Sequence, residues 1–197
     1  MRWRGWRRLW RSRRNARRQR AEQLYQALVK QARTPALYSK LGVPDTPEGR
    51  FEMIALHASL VLRRLRSEGA LGRSVGQELF DVMFADMDSS LRELGVGDLS
   101  VGKYVKRLAG NLYARLAALD RGLGEPGRAA TGLPDAAALQ PMLRANVYWG
   151  GAPSSDAQLA GLVDYLIAQD RALIDQDIAA LCEGTIAWVD PMLPVET

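Results

Sequence analysis

Apolar residues in this chain return at intervals of three and four, and each run of them stops at glycine or proline. Phe51, Ile54, Ala58, Val61 and Leu65 follow Thr46 and Pro47 in 3-4-3-4 spacing, which lays them along one face of a helix. Thr46 suits the cap of that helix, and proline suits its first position, where the N–H it lacks would have no partner. No stretch shows the strict alternation that marks a strand. The chain is therefore read as all-α, a single helical domain of about six to eight helices behind a basic N-terminal segment.

The same spacing predicts a helix over 19–32 with Leu24, Tyr25, Leu28 and Val29 in one stripe, stopped at Thr34-Pro35. A further helix is expected to start near Ser74, bury Leu79, Val82, Met83, Met87, Leu91 and Leu94, and end at Gly95. Another starts at Ser100 and carries Leu108, Leu112, Leu116 and Leu119. Residues 122–134, GLGEPGRAATGLP, read as a loop. Asp135 caps a helix to Tyr148 that Pro141 should kink or restart. Ser155 with Gln158 matches a capping box, opening a helix through Leu173 toward Leu181. No apolar run approaches the roughly 20 residues that a membrane span needs. A single cysteine, Cys182, excludes an intramolecular disulfide, and its neighbours Ala180, Leu181 and Ile186 point to burial.

The first twenty residues, MRWRGWRRLWRSRRNARRQR, hold ten arginines and no acid. The whole chain carries 27 basic and 22 acidic side chains, so without those ten the remainder is acidic, 17 against 22. Residues 1–20 are thus set apart from a helical domain over 21–197. On a helix Trp3, Trp6 and Trp10 fall within about 60° of one another, with Arg2, Arg4, Arg7, Arg8 and Arg11 around them. Indoles favour the headgroup region of a bilayer, and each arginine near an anionic leaflet is worth roughly 1 kcal/mol. An anionic membrane surface is the expected partner of Arg2, Trp3, Arg4, Trp6, Arg7, Arg8, Trp10 and Arg11. RNA fits the same residues, since arginine neutralises phosphate and indoles stack on unpaired bases, and a solvated basic tail is the third reading. The Arg7-Arg8 and Arg13-Arg14 pairs lack the apolar run of an export signal; a mitochondrial transit peptide would be arginine-rich but also serine-rich, and only Ser12 is present.

Candidate chemistry is sparse. Asp81, Asp86, Asp88 and Glu93 sit at helical spacing, but no histidine accompanies them and no calcium-loop glycine and glutamate follow. His57, the sole histidine, lies between Ile54 and Leu60 and reads as a hydrogen-bonded packing residue. No phosphate loop or nucleophile elbow occurs. The expectation is a non-enzymatic protein with no catalytic residues, no metal and no cofactor.

Residues 84–108, FADMDSSLRELGVGDLSVGKYVKRL, place two helices about a glycine-rich turn. A DNA-reading helix-turn-helix is disfavoured because the second helix offers Lys103, Lys106 and Arg107 without Gln or Asn for base edges. Asp86, Asp88, Arg92, Glu93, Asp98 and Lys103 are expected to form a charged surface for client or partner contact, the competing reading being caps and ion pairs that fix the turn. These residues also carry a resemblance. The chain resembles the ubiquinol-cytochrome c chaperone family, assembly factors of the cytochrome bc1 complex, through Leu24-Tyr25 to Gln31-Ala32-Arg33, VPDTPEGRFEMIALHASLVLRRL at 43–65, GQELFDVMFADMDSSLRELGVGDLSVGKYVKRL at 76–108 and LRANVYWG at 143–150. The resemblance implies an all-helical chaperone that holds newly made cytochrome b and promotes its insertion into the complex. Mitochondrial members act with a small partner protein and associate with the ribosome near its exit tunnel. It further implies work at the cytoplasmic face of a bacterial inner membrane, or at the matrix face of the mitochondrial one. A groove lined by methionines would suit such a client, with Met53, Met83 and Met87 as candidates that core packing claims more readily. A ribosome- or RNA-binding factor and a metal-dependent helical enzyme stand as alternatives.

Overall fold

A computed structural model of the chain describes residues 3–93, 95, 98–127, 134–148 and 155–191, with backbone alone for 3–14, 98–101, 104, 105, 107 and 108. Every regular element among them is helical: α1 (Trp3–Ala32), α2 (Pro35–Ser39), α3 (Pro47–Arg66), α4 (Gly69–Glu93), α5 (Asp98–Leu123), α6 (Ala136–Asn146), α7 (Asp156–Asp175) and α8 (Ile178–Cys182). Thr46, Asp135 and Ser155 accept hydrogen bonds from the N–H groups of Gly49, Ala138 and Gln158 at 3.1, 3.1 and 3.2 Å, each satisfying a donor that a helix start leaves open. Gly95 follows α4 at φ +80°, a conformation that costs glycine nothing.

α3 is the axis of the bundle, packed on α1, α4, α5 and α7. The 3-4-3-4 reading gave it one apolar face, yet residues 55–61 are buried without a break, and Phe51 and Ile54 at its start are only half-buried. A helix surrounded by four others has no solvent face to alternate with. Around it pack Leu24 and Leu28 of α1, Leu79 and Met83 of α4, Leu112 and Leu119 of α5, Leu143 of α6 and Leu162 and Leu166 of α7.

Several boundaries differ from the sequence reading. α4 begins at Gly69, five residues before Ser74, because Gly72 lies against the Leu65 carbonyl, where a Cβ would come within 2.1 Å. Ser74 then sits inside the helix and accepts from Arg17 Nη1 at 3.2 Å. α5 starts at Asp98 instead of Ser100 and takes in Gly122, which the Leu139 side chain covers. α6 runs on through Pro141; Pro141 and Ala137, whose carbonyl loses its partner, are both exposed, so water takes the freed group. The expected capping box is half made, because the Gln158 amide packs over Gly42 and does not turn back. The last helix breaks after Asp175: Asp177 caps α8 by accepting from the Ala179 N–H at 2.9 Å, and residues 185–190 then run without helical structure. α1 is continuous across residues 20 and 21, and among its described side chains, from residue 15 onward, Ala21 is the first that is buried.

Polar groups inside the bundle are paired across elements. Arg63, fully buried, bonds Asp170 Oδ1 of α7 at 2.6 Å, Asp120 Oδ1 of α5 at 3.2 Å and the Gly124 carbonyl. Arg66 shares Asp120 at 2.6 Å. Arg64 donates to the Leu173 carbonyl at 3.0 Å and pairs with Glu68. His57, also fully buried, donates from Nδ1 to the Met53 carbonyl and accepts at Nε2 from the Tyr165 hydroxyl, both at 2.7 Å; this tautomer is the one in which both neighbours are satisfied. Burial holds its pKa at about 4, against an ordinary value near 6.5.

Two outcomes follow. The neutral His57 contributes stability that is complete above pH 6.5 and drains as pH falls toward 4, because the unfolded chain takes up the proton first, amounting to about 3 kcal/mol at most. Urea midpoints should fall across that window, and His57→Gln should flatten the fall. Arg63→Met strands the Asp170 carboxylate, leaving Asp120 with Arg66 alone, and should cost about 3–5 kcal/mol, part of it recovered by adding Asp170→Leu; chemical denaturation of the single and double variants measures both.

Candidate functional site

The segment PDTPEG at 44–49 forms one wall of an open groove. Gly49 lets the first turn of α3 press against the Pro44 carbonyl, where a Cβ would come within 2.0 Å. Asp45 then reaches back to Arg50 Nε at 2.6 Å, and Tyr148 of the chain after α6 donates to the Leu41 carbonyl at 2.7 Å. Between this bent segment, α1, α4, α5 and the end of α6 lies a groove of about 800 Å³. Its apolar lining is Phe51, Ile54, Met87, Leu91 and Val147, and its polar lining includes Arg33, Glu48, Glu52, Asp86, Ser90 and Asn111. A second hollow of about 600 Å³, bounded by Tyr38 and Ser39, shares Arg33, Asp45 and Arg50 with it.

Two carboxylates of the groove are already committed to structure. Asp86 accepts from the Tyr25 hydroxyl at 2.7 Å, and burial together with that carboxylate keeps Tyr25 protonated far above neutral pH. Glu52 meets the buried Arg115 guanidinium. Burial nevertheless holds the Glu52 carboxyl above the usual range, outweighing the pull of its partner. No nucleophile faces a base here, and among the described residues no three His, Cys, Asp or Glu side chains converge as a metal site would require. An apolar floor with a rim of both charges is suited to holding a segment of chain by its apolar face.

The structure separates the residues that the sequence grouped. Asp86 faces the groove, whereas Asp88 and Arg92 pair with each other at 2.7 Å along α4, both about half exposed. Ser89 donates to Glu93 at 3.4 Å, and Lys103 is exposed on α5. The Asp98 side chain, Arg2, and the side chains of Trp3, Arg4, Trp6, Arg7, Arg8, Trp10 and Arg11 lie outside the described residues. Of the three methionines, Met53 and Met83 are core and Met87 lines the groove. Sequence reasoning missed the walls supplied by Arg33, Asn111 and Ala145–Val147. The readable sign was Pro44, Pro47 and Gly49 together, two fixed φ angles and a missing Cβ at one bend.

Residues 39–188 match the ubiquinol-cytochrome C chaperone family. The crystal structure of the Cbp3 homolog from Brucella abortus superposes with a TM-score of 0.75 at 33% identity, covering 93% of this chain and 96% of that one. The mouse (Mus musculus) ubiquinol-cytochrome c reductase complex assembly factor 1 is 24% identical over 103 residues, which are 52% of this chain and 35% of the mouse protein. The match therefore spans about a third of that relative's length.

Exchanging the exposed pair, Asp88→Arg with Arg92→Asp, should shift stability by less than about 1 kcal/mol. Arg115→Met leaves Glu52 buried without its cation and should cost about 3–5 kcal/mol. Thermal melts of the two variants side by side distinguish the surface pair from the groove support.

Proposed function

We propose, from the premise that the chain belongs to the ubiquinol-cytochrome C chaperone family, that it is an assembly chaperone for the cytochrome bc1 complex and holds newly made cytochrome b by an apolar segment laid in the groove. The observation that carries this reading is the groove itself: five elements converge on an apolar floor at Phe51, Ile54, Met87 and Leu91, with no catalytic constellation beside it. The mouse relative's designation as an assembly factor for the ubiquinol-cytochrome c reductase complex supports the choice of client. Family membership implies binding and release instead of catalysis.

The leader supplies location in this reading. Its arginines and tryptophans attach α1 to an anionic membrane surface, at the cytoplasmic face of a bacterial inner membrane, where apolar helices of the client emerge. No described helix is long and apolar enough to cross a membrane. In this reading the charged surface at the α4–α5 turn, with Asp88, Arg92, Glu93 and Lys103, meets a partner subunit or the ribosome.

A strain lacking this protein should lose cytochrome b and the assembled bc1 complex while other membrane complexes stay near normal. Leu91→Glu, a half-buried groove position, should fold yet fail to restore them; full restoration by that variant removes the groove from the account. Deleting residues 2–14, ahead of the first described contact at Arg17–Ser74, should release the protein from anionic liposomes in flotation without loss of helical content from residue 21 onward. Undiminished flotation defeats the anchoring role, and retention on RNA in its place would move the leader to nucleic acid.

A further inference from the structure

The segment after α8 is held in an unusual way. Gln176, the extended residue that caps the end of α7, donates to the Ala187 carbonyl and accepts from the Ala187 N–H, both at 2.8 Å. Gln169, two helical turns earlier on α7, does the same to Val189, at 2.7 Å to its carbonyl and 3.1 Å from its N–H. Gln31 of α1 adds a bond to the Val189 carbonyl at 3.0 Å. Two side-chain amides thus pair with alternate residues of the segment as a neighbouring strand would. Ile186, just before these backbone contacts, and Trp188, between them, pack onto the core, Trp188 edge-on to His57 with ring centroids 5.2 Å apart.

The bonds that Gln176, Gln169 and Gln31 make to the segment are all to main chain, which every residue but proline offers in full. The one side chain read deeply is an indole, and it is read by shape alone: Trp188 Nε1 is buried with no hydrogen-bond partner. A buried, unpaired N–H weakens the contact that contains it. A phenyl ring would fill the socket without that penalty. None of the groove-lining residues takes part, so the site is separate from the one assigned to the client.

We propose that the surface formed by Gln169 of α7 and Gln176 at its C-terminal cap is a second polypeptide-binding site. It takes an extended segment with an aromatic side chain between small or β-branched residues, and residues 185–190 fill it in cis as an exchangeable occupant. The tether gives that occupant an effective concentration on the order of millimolar, so a segment from another chain enters only by displacing it.

The test uses the full chain and two labelled peptides, TIAWVDP, which is residues 185–191, and TIAFVDP. Trp188→Gly empties the socket without touching the glutamines. Fluorescence anisotropy should show saturable binding of both peptides to this variant, the phenylalanine peptide binding at least as tightly, with about tenfold weaker binding to the unmodified protein. Adding Gln176→Leu should weaken peptide binding by about tenfold. A Trp188→Gly protein of native helicity that binds neither peptide up to about 1 mM overturns the proposal. Hydrogen exchange on the unmodified protein decides the matter if that variant does not fold. The Ala187 and Val189 amides should exchange through local opening, about tenfold or more faster than the Leu166 amide of α7; exchange only with global unfolding makes the segment a fixed part of the core and likewise overturns it.

Discussion

The Arg63 guanidinium is the constraint from which the rest of the bundle takes its register. Apolar helix faces pack against one another in many offsets at similar cost, since the hydrophobic effect has no direction. A fully buried cation removes that freedom, because it must meet Asp170 of α7, Asp120 of α5 and the Gly124 carbonyl at one setting of α5 and α7 against α3. Desolvating such a group consumes most of what its ion pairs return, so its effect lies in geometry more than in net stability. Arg115 repeats the arrangement at the other end of α3, where its pairing with Glu52 supports the groove floor. With α3 clamped at both ends, the bend at 44–49 is held open against α4 and α6.

α1 links the two functional regions assigned to the chain. It is one helix from Trp3 to Ala32, with the arginine-rich segment at its start and Tyr25 and the groove near its end. At 1.5 Å per residue, Trp10 and Tyr25 stand about 22 Å apart along a single rod. A surface that holds the leader would therefore fix how far away the groove lies. The cross-links from Arg17 to Ser74 and from Arg20 to Glu183 fasten that rod to α4 and to the segment after α8, just ahead of the buried Ala21.

Punctuation was legible in the sequence wherever one residue decides it. Thr46, Asp135 and Ser155 are caps because a short side-chain oxygen beside an open N–H has one good use, and Gly95 closes α4 because its backbone enters the left-handed region. What stayed hidden depends on distant partners. Nothing local marks Arg63 and Arg115 as buried, since the carboxylates that admit them to the interior lie 57 and 107 residues from Arg63 and 63 residues from Arg115. The start of α4 was missed because Gly72 looks like a breaker until the Leu65 carbonyl beneath it is seen. The groove was visible only through Met87 and Asp86; its other walls come from three helices whose approach no local pattern encodes. The backbone-pairing role of Gln169 and Gln176 is equally silent, for glutamine on a helix ordinarily faces water.

The central claim is that the groove between α1, α3 and α4 receives the client. A photo-activatable residue at Leu91, inside the groove, and another at Ala117, exposed on α5 outside it, give the direct comparison when cross-linking is triggered while cytochrome b is being synthesised. The account predicts an adduct with newly made cytochrome b from position 91 and none from position 117. Adducts from 117 alone, or none from 91 in a protein that sustains bc1 assembly, would contradict it.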